Sequence, residues 1–126
     1  MRGTIFDFPL DRIRRKPIRF ISGGVATEYI DDERVKPGYE HILTRIAMEN
    51  LDHAMTRFRI GVWDGANYQL SEEQKSPVAA TLYWTSDAIY LSEGENLRIE
   101  IVGATVSDVI MVYVDGFFRK ISEGGK

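Results

Sequence analysis

The 126-residue sequence is 44% hydrophobic and 28% charged with a net charge of −3, enough for one globular domain with one core and no metal or disulfide support. The absence of cysteine excludes a disulfide framework, thiolate metal ligation and a Cys nucleophile, and the slight acidity argues against a dedicated nucleic-acid binder. No apolar run approaches the roughly 20 residues of a membrane-spanning helix, and MRGTIFDFPLDRIRRKP lacks the apolar centre of a signal peptide, so a soluble chain made in a cytoplasm, with no membrane partner, is expected.

In chain order, residues 1–19 read as an extended arm. Within the first twenty residues Arg2, Arg12, Arg14, Arg15, Lys16 and Arg19 face only Asp7 and Asp11, a balance of +4 that leaves −7 on the rest. A basic arm on an acidic body suits contact with an acidic partner or a neighbouring copy. Ile5, Phe6, Phe8, Leu10 and Ile13 add apolar groups that a solvated tail would not carry. Phe6, Phe8, Arg12, Arg14, Arg15 and Lys16 are therefore the candidate partner-binding residues.

Residues 20–126 read as one β-domain. Turn signals recur at short intervals, from Ser22-Gly23-Gly24 through Lys36-Pro37-Gly38 and Asp64-Gly65 to Glu93-Gly94 and Asp115-Gly116, the spacing of a meander or Greek-key protein. Strands are predicted over Ile18–Ser22, Val25–Ile30, Glu40–Asn50, Met55–Trp63, Tyr68–Leu70, Val78–Thr85, Ala88–Leu91, Leu97–Gly103, Asp108–Val114 and Phe117–Ile121. Residues 87–118 are the clearest: Leu97, Ile99 and Ile101 alternate with Arg98, Glu100 and Val102, and Ile110, Val112 and Val114 with Val109, Met111 and Tyr113.

Residues 39–51 support two readings. Ile42, Leu43, Ile46, Ala47 and Leu51 recur at helical spacing among good helix formers. As a strand, Ile42, Thr44, Ile46 and Met48 would face inward. The strand is favoured because Pro37-Gly38 is a turn rather than an N-cap, and because Thr56, Phe58, Ile60 and Val62 offer an alternating partner across Asn50 to His53.

No catalytic motif is present. Asp31-Asp32-Glu33 and Glu72-Glu73 lack the spacing of a calcium loop. Gly23-Gly24 and the glycines of residues 61–65 read as turn glycines rather than a phosphate cradle. His41 and His53 have neither metal-ligand spacing nor a GxSxG partner. No catalytic, cofactor or metal residue is nominated, and a non-enzymatic protein is expected. Among the aromatics near strand ends, Trp63, Tyr83 and Trp84 are candidate ligand-facing platforms, with packing as the competing use.

The order Val35-x-Pro37-Gly38-Tyr39-Glu40, RIAMEN, FRIGVWDG, LYWTSDAIYLSEGENLRIEIVG and DVIMVYVDGFF resembles the jelly-roll sandwiches of bacteriophage virion proteins. There a V-x-P-G turn opens a long strand, and a turn such as Leu91-Ser92-Glu93-Gly94-Glu95-Asn96-Leu97 introduces the closing strand pair, here Leu97–Val102 with Val109–Val114. The resemblance spans about residues 35–118 and rests on turns. It implies an all-β, antiparallel two-sheet jelly-roll-like sandwich with an N-terminal arm. It also implies a non-enzymatic virion structural protein, a capsid decoration or cement protein or an accessory head or neck component. Such a protein would form a homo-oligomer, a trimer, in contact with the major capsid or another virion protein. The competing reading is a glycan-binding sandwich module, as in a tail fibre or a secreted protein.

Overall fold

The computed structural model describes residues 11–14 and 17–121, and within them the chain forms ten strands and no helix. They are β1 (Asp11–Arg14), β2 (Ile18–Ile21), β3 (Thr27–Asp31), β4 (Tyr39–Asn50), β5 (Arg57–Trp63), β6 (Tyr68–Lys75), β7 (Tyr83–Trp84), β8 (Ile89–Leu91), β9 (Asn96–Val102) and β10 (Val109–Lys120).

All pairings are antiparallel. Sheet A has β10 and β4 at its centre: β1 and β2 border β10 in succession, and β7 and β8 border β4. Sheet B runs β3-β9-β5-β6. From β2 to β5 the chain changes sheet at every step, and it crosses again from β6 to β7 and from β8 through β9 to β10. This double wrap is a jelly roll. Both borders of sheet A are broken into two short strands, which shortens each free edge, and Pro17 precedes β2 where a ladder N–H is not required.

The core is the interleaved inner face of both sheets. Leu43, Ile46, Ile110 and Val112 from sheet A meet Phe58, Leu97, Ile99 and Ile101 from sheet B, all under 2% exposed. The two-residue alternation of β9 and of the first half of β10 is thus present, with Leu97, Ile99 and Ile101 and Ile110, Val112 and Val114 as the inward sets.

Residues 39–51 are a strand, but the inward set is not a single phase. His41 and Leu43 point inward in the first half; Ile46, Met48 and Asn50 do so in the second. Thr44 is the extra residue of a bulge, because Asp115 pairs with Arg45 while Gly116 pairs with Leu43. A bulge shifts the two-residue period by one and exposes Thr44, which the sequence reading had placed inward. Asp115-Gly116, read as a turn between two strands, is that same bulge inside one continuous β10. A Cβ on Gly116 would run into the Ile42 carbonyl and the Leu43 backbone, so the bare glycine lets the two longest strands stay paired.

Three further expectations change. β4 and β5 do not pair with each other, nor do β9 and β10; each couple faces across the core from opposite sheets. Periodicity identifies the buried face, while a loop that crosses the sandwich decides the partner. Val78–Thr85 reduces to Tyr83–Trp84, and Tyr68–Leu70 extends to Lys75 across a second bulge at Ser71. Gly61 is a strand glycine beside that bulge, where a Cβ would strike the Gln69 carbonyl and the Tyr68 ring.

The two turns that carry the resemblance meet at one end of the sandwich. Val35 N–H donates to the Glu95 carbonyl and Gly94 N–H to the Val35 carbonyl, each at 2.9 Å, and Gly38 N–H donates to the Glu93 carboxylate at 2.6 Å. Gly38 and Gly94 both hold φ of 84°, a left-handed conformation that glycine adopts without steric cost.

Candidate functional site

The other end of the sandwich, the apex, gathers the loops of residues 22–26, 51–56, 76–82 and 103–108. Backbone bonds lace them: Ser22 N–H to the Asp108 carbonyl, Ser107 N–H to Ser22, Gly103 N–H to Ala26, Met55 N–H to Pro77 and Ala80 N–H to Asn50, at 2.7–3.1 Å. Beneath them lies Asp108, 1% exposed. Its carboxylate accepts from Asn50 Nδ2 at 2.8 Å, Thr105 N–H at 2.9 Å and His53 Nδ1 at 2.5 Å. Asn50 Oδ1 in turn accepts from the N–H groups of Asp52 and His53, and Asp52 accepts from Val109 N–H.

Burial alone would raise the Asp108 pKa, but the Asn50, His53 and Thr105 donors outweigh it and hold the carboxyl below its ordinary value. Reciprocally, the hydrogen bond and charge of Asp108 raise the His53 pKa. The chemistry here is structural: one buried anion ties the 51–56 loop to the 103–108 loop. Among the described residues, the non-glycine residues with positive φ, Ser76, Ala80 and Ser107, all sit in apex loops. Such backbone persists only where its surroundings enforce it.

On this frame five aliphatic side chains stand exposed among polar ones such as Asp52, His53 and Thr105. Ile21, Val25, Leu51, Val78 and Val106 rim the apex, with Val25 at 60% and Val106 at 62% exposure.

The outer face of sheet B holds a cluster of paired charges and aromatic rings. The Arg98 guanidinium lies 3.9 Å from the Trp63 ring centroid and 4.8 Å from that of Tyr29, and it forks onto Asp31 at 2.7 and 2.9 Å. That fork holds the Asp31 carboxyl below its ordinary value. Arg59 bonds Glu73 at 2.7 Å and approaches Glu100 at 3.4 Å. Tyr68 reaches over Gly61 with its hydroxyl buried and unpartnered, and burial pushes its pKa up. Three of the acids that lack calcium-loop spacing thus hold structure: Asp31 and Glu73 bind arginines, and Glu72 accepts from the N–H groups of Ser86 and Asp87.

The outer face of sheet A carries an open slot of about 260 Å³, lined by Arg45, Glu49, Leu82, Trp84, Tyr113 and Asp115. Trp84 and Tyr113 both pair in register with Ala47, one from each side. Ala47 between them is fully covered, and Leu82 and Val114 complete the lining of the slot. Arg45 packs over Trp84 at 5.1 Å, and the Tyr113 hydroxyl donates to Glu49 at 3.0 Å.

The structure separates the three aromatics nominated from sequence. Trp84 is on sheet A and 51% exposed. Trp63 is on sheet B under Arg98. Tyr83 packs against the core with its hydroxyl accepting from Val78 N–H at 2.9 Å. Arg12 and Arg14 lie on β1, opposite Phe117 and Asp115 of β10, while Phe6, Phe8, Arg15 and Lys16 fall outside the described residues. His41 is buried against Phe118. The sequence reading missed Asp108, Asn50, Tyr113 and Arg45, because all four look like ordinary strand or turn residues and only the pairing of β4 with β10 brings them together.

No family model matches the sequence, and no curated protein matches it. Among solved structures, the chain is similar to a chain of the disulfide-linked pili of Bacillus endospore appendages, at 8% identity and TM-score 0.47, with 92% of this chain and 89% of that one covered. It is also similar to the N-terminal cellulose-binding domain of Cellulomonas fimi β-1,4-glucanase C, at 10% identity and TM-score 0.36, with 84% and 74% covered. A chain from infectious bursal disease virus, Gx strain, aligns at 14% identity and TM-score 0.42, covering 94% of this chain but 33% of that one. At these scores the likeness is one of β-sandwich architecture and extends to no function.

Proposed function

We propose that the protein is a non-enzymatic bacteriophage virion structural protein, a capsid decoration or accessory head or neck component, acting as a homo-oligomer in contact with other virion proteins. The turn pattern of the sequence supplies the class. The observation that carries the assembly reading is the apex, where five aliphatic side chains stand exposed on or beside loops tied together by backbone hydrogen bonds and by Asp108. A surface of this kind loses little loop entropy on docking, so most of its buried apolar area counts toward affinity. The +4 of the first twenty residues against −7 on the body complements it by drawing the arm of one copy to the body of the next.

Light scattering of the purified protein is the test. The unaltered chain is expected to assemble as a trimer. A Val25→Asp, Leu51→Asp, Val106→Asp variant, changed only at exposed sites, is expected to keep its β circular dichroism and become monomeric. Deleting residues 1–10 should weaken assembly while leaving β1 in place. A triple variant that assembles and binds capsids as the parent does would refute the apex as the contact surface.

A further inference from the structure

The slot on sheet A is unexplained by an assembly built on the apex, because it lies on a sheet face rather than on the loops. Trp84 and Tyr113 stand on strands either side of β4, about 10 Å apart at twice the usual strand spacing, and both line the slot together with Leu82 and Val114. Its walls are set in advance. Arg45 orients Trp84 and Glu49 anchors Tyr113, so little rotamer freedom remains to be lost when something enters.

The lining pairs apolar ring faces with a rim of one cation, Arg45, and two carboxylates, Glu49 and Asp115. A ring with two apolar faces and hydroxyls around its edge matches that pattern: its C–H groups meet the aromatic walls, and its hydroxyls both donate to carboxylates and accept from a guanidinium. An aromatic or prolyl side chain would fill the gap but leave the rim without a counterpart. An acidic sugar would meet two like charges against one opposite.

We propose that this slot binds a single pyranose ring of a neutral β-glucoside, whose hydroxyls are all equatorial, between Trp84 and Tyr113. The site is independent of the apex reading, and either can fail without the other.

The test is titration of the full chain with cellotetraose. In a Trp63→Phe background Trp84 is the sole tryptophan, and its fluorescence is expected to change saturably with a Kd of about 1 mM or tighter. By calorimetry, Trp84→Ala and Tyr113→Ala should each weaken binding at least tenfold with unchanged circular dichroism. Trp84→Phe should retain part of it, and an oligoglucuronate should bind at least tenfold more weakly than cellotetraose. Absence of saturation by cellotetraose up to about 10 mM would overturn the proposal. So would binding that survives Trp84→Ala and Tyr113→Ala in the folded protein, or a preference for the oligoglucuronate.

Discussion

Asp108 shows how one side chain sets the shape of a surface it never reaches. Replacing it with Ala leaves Asn50 Nδ2 and Thr105 N–H buried without an acceptor, and a loss of about 2–3 kcal/mol is expected by urea denaturation. The same carboxylate gives the apex a pH window. The His53 pKa is raised by Asp108, so its contribution is complete below the unfolded value near 6.5 and is lost as pH rises through the higher folded value. The Asp108 pKa is lowered, so its contribution is present above the unfolded value of about 3.9 and is lost as pH falls through the lower folded one. The pair is expected to stabilise most between roughly pH 4 and 6.5. His53→Gln should flatten the decline on the alkaline side of that window in thermal melts. A sequence shows an aspartate after Val106-Ser107 and a histidine fifty-five positions earlier; nothing local joins them, because their contact depends on loops from both sheets.

At the scale of the element, β4 and β10 form the spine, and one bulge lets each stay twelve residues long. Gly116→Val should push its side chain into the Ile42 carbonyl and Leu43 backbone, splitting the pair at its middle. The expected cost is about 1–3 kcal/mol, read as a lowered Tm with the sheet-A end near Phe118 losing amide protection first in hydrogen exchange. Strand character was legible wherever the period of two ran unbroken, as in β9. It misled where a bulge moved the phase, so Thr44 was assigned inward and Asp115-Gly116 was taken for a turn. A bulge is set by the partner strand, and its sequence mark, a lone glycine after an aspartate, is the mark of a turn as well.

For the whole molecule, nearly every strand finds its partner far along the chain, as β2 with β10 and β3 with β9. Because long loops must close before such pairs form, refolding is expected in roughly milliseconds to seconds, slower than in helical domains of this size. Stopped-flow tryptophan fluorescence would measure it, and one shared core predicts a single cooperative phase. The all-β class was decided by the sequence alone, since β-branched alternation and frequent turns leave a meander or Greek-key domain, while the two-sheet sandwich was what the turn resemblance implied. The two turns at residues 35–38 and 91–97 were also legible, because glycine at positive φ writes its position into the chain. Which strands pair, which loops share an end, and which aromatics stand together were decided only by the tertiary structure. Those outcomes follow from where each crossing lands, so Trp84 and Tyr113 line one slot, and the aliphatic residues of four separate loops share one apex.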